Sequence, residues 1–493
     1  MRINNIHIQN FRCFTSYDVS FAEKTTVLIG KNGTGKTNLI FALKQGMSFI
    51  FSKNKVKGLQ PFSTSGDLHV VKFGPMDANY DNKKRDFNYP IELNYNGVFE
   101  EQPIEWSFAK NYQTGTILSG KYLRALKIFL EHFNKDVANT QLPLLAFFSD
   151  SYPHNKINIG KYARSILDMK GSLPRNFGYY QWDAETNCAE IWQNQYIKVY
   201  NSVNDFKSPL NEKKNRLIEL YLFLENDPLH EDSHKWELES KRLKEEINSI
   251  EKESPELREI NFIDKKIKLF TKVLRQDLNF INKEFEINKV IVERPKGLNN
   301  HQIQFVFSSE KAIYFDSLPQ GYKRLISMVF DIAYRSYILN GENEPKGIVF
   351  IDEVELHLHP TLAQEVLERF RKTFPQIQFV VSTHSPLVIS NLKIQDEYGS
   401  NKVIKLINEE GEFKNETVEN IYGIDYITSL MEIMDATYRP STIDKLIDMY
   451  VTLKARNKEQ EAILIYEKLK AIFNGEPNQF IKDEIETKLK SYQ

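Results

Sequence analysis

Only two cysteines, Cys13 and Cys188, stand in 493 residues, and no CxxC spacing occurs. So thin a supply excludes a disulfide framework and a cysteine zinc site, and it fits a reducing, cytoplasmic setting. Neither sign of charge is in excess: 65 Lys and Arg against 66 Asp and Glu leave a formal net charge of −1. Without a bulk positive field, nucleic-acid contact would have to come from local patches. No run of 18 apolar residues occurs, and the opening "MRINNIHIQNFRCF" lacks the apolar stretch of a signal peptide. Neither membrane spanning nor secretion is expected. The remainder, 41% hydrophobic and 27% charged, is an ordinary globular composition with room for about two to four domains.

The first motif is "TTVLIGKNGTGKTNLIFAL", Thr25 to Leu43. It reads as an apolar strand, a glycine-rich loop and a helix, and the loop matches G-x-x-x-x-G-K-[ST] at Gly30, Gly35, Lys36 and Thr37. The chemistry requires this spacing because backbone N–H groups from Gly30 through Lys31, Asn32, Gly33, Thr34 and Gly35 to Asn38 must wrap phosphates. Lys36 is expected to reach the β- and γ-phosphates of ATP, and the Thr37 hydroxyl to ligate Mg²⁺. The following helix brings its positive end beneath them. Upstream, "IHIQNFRCF" and "YDVSFAEKTTVLIG" alternate like two half-exposed strands.

An opening strand ending "QNFRCF", followed closely by "GKNGTGKTN", resembles the ABC-type ATPases of the RecF, SMC and OLD group rather than transporter cassettes. In some of those relatives the arginine matching Arg12 lies near the phosphates.

The stretch "IVFIDEVELHLHP", Ile348 to Pro360, poses a choice between a metal-dependent nuclease centre and half of a nucleotide site. "KGIVFID" has the pattern of a buried strand ending in two acids, which an α/β sheet would place beside the phosphate loop. Asp352 then holds Mg²⁺ through water, and Glu353 polarises the attacking water as general base. Farther on, "IQFVVSTHSPLVI" is another buried strand that delivers Ser382, Thr383 and His384, the histidine as a hydrogen-bond donor to the γ-phosphate. The order of these pieces favours the nucleotide site. Glu355, His357 and His359 follow the acids where relatives carry a loop that contacts the opposite subunit. Two histidines at i, i+2 in a loop are more often structural than metal ligands.

ATPases of the resembled class complete their site with a signature segment from a second head, which implies a homo-oligomer. The candidate is "DSLPQGYKRLISMVFDIAY", with Ser317 and Gly321 ahead of a helix carrying Leu325, Met328, Val329 and Ile332 at helical spacing. Pro319 and Gln320 depart from the transporter LSGGQ pattern, and an ordinary capped helix is the plainer alternative.

Between the halves, "RDFNYPIELNYNGVF" and "QPIEWSFAK" read as strands of the head. From about Asn204 to Lys289 the chain is highly charged, with apolar residues at three- and four-residue steps in two runs, Leu243 to Ile250 and Leu257 to Ile281, separated by Pro255. A short helical hairpin or bundle is expected, far shorter than an SMC coiled coil. "HEDSH", His230 to His234, matches HExxH but has poorly fitting neighbours, and reads as accidental. The lysine-rich pieces "KKIKLFTKVLR", "KNKVKG" and "NKKR" read as solvated faces before they read as DNA contacts.

No DxD follows His384, so the acid set of an OLD-type TOPRIM nuclease is missing. The tail "YGIDYITSL…YRP" and the two or three amphipathic helices after it, with "QLPLLAFFSD" and "RNFGYYQWDAETNCAEIW" earlier, resemble PtuA-like ATPases of Septu and some retron anti-phage systems. That resemblance implies an ATP-hydrolysing subunit that regulates a separately encoded HNH nuclease, PtuB-like, with DNA as a further candidate partner and no nuclease activity of its own. A RecF/SMC-like repair ATPase acting directly on DNA, or a slowly hydrolysing ATP-switched scaffold, are the alternatives.

The expected fold is α/β, an ABC-type P-loop ATPase head with a helical, short coiled-coil-like insertion and a C-terminal helical region. Residues 1–203 would carry the Walker A lobe and 204–289 the insertion. Residues 290–395 would carry the signature, Walker B and H-loop, and 396–493 a helical partner-binding region.

Overall fold

The computed structural model describes residues 1–51, 73–118, 120–136, 139–151, 161–169, 173–183, 188–226, 230–272, 274, 285–419, 421–436 and 439–490. The chain forms two compact units, Met1–Gly423 and Ile424–Gln493.

The first unit is α/β and built on two main sheets. Apolar runs long enough only for a strand form its centre: Thr25–Ile29, Leu144–Phe148, Gly347–Ile351 and Ile377–Ser382, every residue of which is buried. Strands buried on both faces need apolar side chains throughout, which is why these runs do not alternate. Their order is Gly399–Glu409, Thr25–Ile29, Ile377–Ser382, Gly347–Ile351, Leu144–Phe148, each parallel to its neighbour. The register sets Ile351 beside both Val381 and Phe148, and Ser382 beside Leu28. All the carboxyl ends therefore open on one edge, where parallel α/β sheets bind ligands. Glu412–Val418 turns back antiparallel on Gly399–Glu409.

The second sheet is antiparallel, ordered Phe14–Ser20, Arg2–Phe11, Ile91–Phe99, Gln102–Lys110. Ile91–Phe99 alternates strictly between buried and half-buried residues, as a sheet with one covered face requires. The helix Lys36–Met47 lies under it, with the Tyr95 hydroxyl donating to the Ala42 carbonyl at 2.7 Å and the Trp106 indole to the Gly46 carbonyl at 2.9 Å.

Two of the strand expectations change. Thr25–Ile29 is wholly buried rather than half-exposed, because the sheet continues past it to Gly399–Glu409. Those late strands also lie inside the first unit, so its division from the second falls at 423 where the sequence reading placed it at 395.

Within 204–289, Asn204–Asn226 and Ser233–Glu253 pair, held by Lys213 to Glu246 and by Arg216 Nε to Glu239 Oε1 at 3.0 Å. The third helix, Pro255–Thr271, begins at a Ser254 cap with Pro at its first turn. It packs on the head: Lys266 Nζ donates to Thr373 O at 2.9 Å, and Arg369 donates to Phe270 O at 2.7 Å. Lys266, part of a supposed solvated lysine run, is buried and paired with Glu344 at 2.8 Å. Leu278 and Ile281 of the second apolar run, and the whole of "KNKVKG", lie outside the described residues.

In the second unit three helices, Ser441–Ala455, Glu459–Ile472 and Gln479–Lys490, share a small core of Ile447, Val451, Leu469, Ile481 and Ile485. Arg439 clamps it, donating to Glu484 at 2.6 and 2.8 Å and to Asp444 at 2.6 Å. Among the described residues no helix is long and apolar enough to cross a membrane.

Candidate nucleotide site

The phosphate loop leaves its strand at Gly30 and enters its helix at Lys36. Gly30 and Gly35 have φ of +142° and +93°, and a Cβ at Gly30 would lie 2.4 Å from the Leu406 carbonyl oxygen. Only glycine permits both the left-handed turn and that approach. Lys31, Asn32 and Gly33 are exposed at the crest, while the Thr34 hydroxyl turns inward to Lys31 O at 2.9 Å. Lys36 is buried, its ammonium donating to Gly30 O at 2.7 Å and Lys31 O at 3.1 Å. Burial lowers its pKa against the pull of Asp352, Glu353 and Glu355.

Thr37 Oγ1 donates to Asp352 Oδ2 at 2.9 Å, joining residues from the two ends of the head. A hydroxyl and a carboxylate side by side are the oxygen donors Mg²⁺ takes, the rest of its shell coming from phosphate and water. Asp352 is held on its other oxygen by the buried Ser382 hydroxyl. Ser382 Oγ also accepts from the Glu353 N–H at 2.9 Å. Glu353 has φ of +51°, a left-handed conformation that costs free energy in a non-glycine residue and recurs at functional sites. Its carboxyl pKa is raised, by burial first, with His384 opposing and Asp352, Glu355 and Asp150 adding to the rise.

His384 follows the strand Ile377–Ser382, and its N–H donates to Glu355 Oε1 at 2.6 Å. Glu355 thus ties the loop after the acids to the loop after the histidine strand. His357 has φ of +65°, and His359 Nδ1 lies 2.9 Å from Thr361 Oγ1 where the helix Pro360–Thr373 begins. Arg12 pairs with Asp77 at 2.9 Å, donates to Asn38 Oδ1 at 3.2 Å and stacks over Phe41 at 3.6 Å, so it braces the start of the phosphate-loop helix. His230 stacks on Trp236 and accepts from the Asp232 N–H at 3.1 Å. Among the described residues no group of three or more His, Cys, Asp or Glu could hold a metal ion.

Ser317 is exposed in a short turn, and Gly321 sits in the first turn of the helix Gln320–Asn340. A Cβ at Gly321 would meet the His357 carbonyl oxygen at 2.4 Å, so this helix start rests on the loop that follows the acids.

Several side chains that brace the site received no role from the sequence. Ser382 had only its place before Thr383 and His384 to mark it. Arg324 looked like one more charge on a helix, yet it is fully buried against the acids. Asn408 Nδ2 donates to Gly33 O at 3.4 Å from the strand Gly399–Glu409, in a stretch expected to be helical and outside the head.

A family model described as an AAA ATPase domain matches residues 1–389. The chain is 25% identical to a retron Vc95 probable ATPase of Vibrio cholerae serotype O1 biovar El Tor, over 93% of this chain and 84% of that protein. It is 28% identical to a Septu protein PtuA of Bacillus thuringiensis, over 31% of this chain and 41% of that one. Among solved structures, an Smc head domain from Pyrococcus furiosus, bound to the C-terminal domain of ScpA, aligns over 85% of this chain and 96% of its own. The TM-score there is 0.42 at 15% identity.

Proposed function

The chain belongs to the AAA ATPase domain family and is an ATPase, and from that premise we propose that two such heads hydrolyse ATP to control a separately encoded HNH nuclease in anti-phage defence. The observation that carries the ATPase half is the 2.9 Å contact between Thr37 and Asp352 at the carboxyl edge of the parallel sheet. The defence half rests on similarity to retron ATPases and Septu PtuA proteins.

In the reaction, backbone N–H groups from Gly30 to Asn38 bind the phosphates, and Lys36 exchanges the loop carbonyls for β- and γ-phosphate oxygens. Thr37 and Asp352 would hold Mg²⁺, which would supply positive charge against that building on the phosphates. Glu353 orients the attacking water and accepts its proton, and His384 donates to the γ-phosphate. Ser317 and Gly321 of a second copy close the site, with the positive end of the helix Gln320–Asn340 facing the γ-phosphate. The second unit presents Ile463, Leu464, Ile472 and Phe480 exposed beside its own core, apolar surface suited to a partner helix.

The test is a co-purification of tagged full-length chain and a version ending at Gly423, with ATP turnover measured on both. A small HNH protein that elutes with the full chain and is lost from the shorter one supports the reading. Recovery of DNA or repair factors by the full chain, with no nuclease, sinks it in favour of direct action on DNA ends. Equal turnover in wild type and Glu353→Gln would make the chain a scaffold.

A further inference from the structure

The helix that carries Gly321 also carries Arg324, one turn in, and that arginine has no solvent exposure at all. A buried guanidinium is costly unless its donors are met. Here both terminal nitrogens are met by backbone carbonyls at the ends of two neighbouring strands, those of the acid pair among them. Its Nη2 donates to the carbonyl oxygens of Asp352 and Glu353, each at 3.0 Å, and to Ser149 O at 3.4 Å. Its Nη1 donates to Asp150 O at 3.2 Å. Ser149 and Asp150 follow the strand Leu144–Phe148, which pairs with Gly347–Ile351 on the side away from the phosphate loop.

Three further facts give that contact a direction. The carbonyls Arg324 holds belong to Asp352, which meets Thr37, and to Glu353, whose left-handed backbone needs outside support. On the far side Ser382 holds the same residues through Asp352 Oδ1 and the Glu353 N–H, so the acid pair is gripped from both sides. And Gly321, three residues before Arg324, presses against the carbonyl of His357, in the loop that continues from those acids. A displacement of the helix start is thus delivered to the acid backbone through a planar, multi-donor group. A lysine ammonium would meet the same carbonyls only as a point charge.

We propose that Arg324 is a positioning residue for ATP hydrolysis: it couples the seat of the Gln320–Asn340 helix to the backbone that aims Glu353. The inference rests on Glu353 being the general base. Anything that docks on the start of this helix then sets the rate of the chemical step rather than the affinity for ATP.

The test compares Arg324→Lys, Glu353→Gln and the double variant of the full chain, in single-turnover ATP hydrolysis and in binding of a fluorescent ATP analogue. Expected is a loss of at least about tenfold in the hydrolysis rate for Arg324→Lys, since small misplacements of a reacting group carry large rate penalties. Nucleotide affinity should stay within about twofold of wild type, and the double variant should be no slower than Glu353→Gln alone, because residues that act as a unit are non-additive. Full reappearance of the Arg324→Lys effect on the Glu353→Gln background would overturn the coupling. So would a parallel loss of ATP binding. Wild-type turnover in Glu353→Gln would instead remove the base assignment, a failure distinct from that of Arg324.

Should Arg324→Lys not fold, hydrogen exchange on the wild-type chain decides. Adding a non-hydrolysable ATP analogue should alter protection of residues 320–330 and 350–356 together. A response in 350–356 alone counts against the proposal.

Discussion

Burial, ahead of any neighbouring charge, lifts the Glu353 carboxyl above the usual glutamate range, while His384 pulls it back. A general base must be ionised to accept a proton, so kcat/KM, which reports the free protein, should fall on acidification at a higher pH than an ordinary glutamate, with its pKa of about 4.3, would give. A pH–rate profile of wild type checks this, and in Glu353→Gln the acidic limb should vanish along with roughly 10²- to 10⁴-fold of the rate. Ser382 offers a second check. Its hydroxyl is spent entirely inside the site, donating to Asp352 and accepting from the Glu353 N–H. Ser382→Ala leaves that N–H and one carboxylate oxygen short of partners, at about 1–3 kcal/mol. Thermal unfolding should register the loss, and turnover should fall with it while Thr37 still meets Asp352.

Helix packing around Gln320–Asn340 contains a second misfit carboxyl, Glu259 on the helix Pro255–Thr271. Burial raises its pKa to about 7, partly offset by the Gln195 amide, which donates to Glu259 Oε1 at 3.2 Å, with Glu256 adding to the rise and Lys198 opposing. A carboxyl whose folded pKa exceeds its unfolded one binds its proton more tightly in the folded state. The resulting stability is complete below the unfolded pKa near 4.5 and is lost as pH rises through about 7. Glu259→Gln keeps the shape and the hydrogen bond without the charge. Its unfolding free energy should lie close to wild type near pH 5 and exceed it at pH 8, by an amount on the order of 2 kcal/mol, read from denaturant unfolding at the two pH values. A gap that does not grow with pH would refute the assignment.

The division of the chain makes a prediction of its own. A version ending at Gly423 keeps every strand of the parallel sheet and should fold and hydrolyse ATP. One ending at residue 395 loses Gly399–Glu409, strips the phosphate-loop strand Thr25–Ile29 of its neighbour, and removes the Leu406 carbonyl on which Gly30 is seated. A buried strand turned into a bare apolar edge invites aggregation. Soluble yield and thermal unfolding of the two versions distinguish the cases: comparable behaviour would mean that the late strands are dispensable to the head.

Residues that act through their near neighbours in sequence could be read without a structure. The strand and helix around "GKNGTGKTN" and the buried strands that end before Asp352 and before Thr383 and His384 follow from patterns written in adjacent residues. The α/β class followed from the same local patterns, and so did two or three amphipathic helices in the tail, of which the structure has three, since a helix face is written at steps of three and four. Long-range contacts left no such mark. Arg324 meets carbonyls 28 and 29 residues ahead and 174 and 175 residues behind, and Thr37 meets an acid 315 residues away. Lys266 looked solvated until Glu344 and the Thr373 carbonyl were placed around it. The strands after residue 395 looked like a tail until the sheet needed a neighbour for Thr25–Ile29. Sequence alone determined which chemistry this chain carries, because that is set by residue type and local spacing. Tertiary structure decided what holds the acids in line and where the head ends, because burial and pairing exist only once distant segments are packed together.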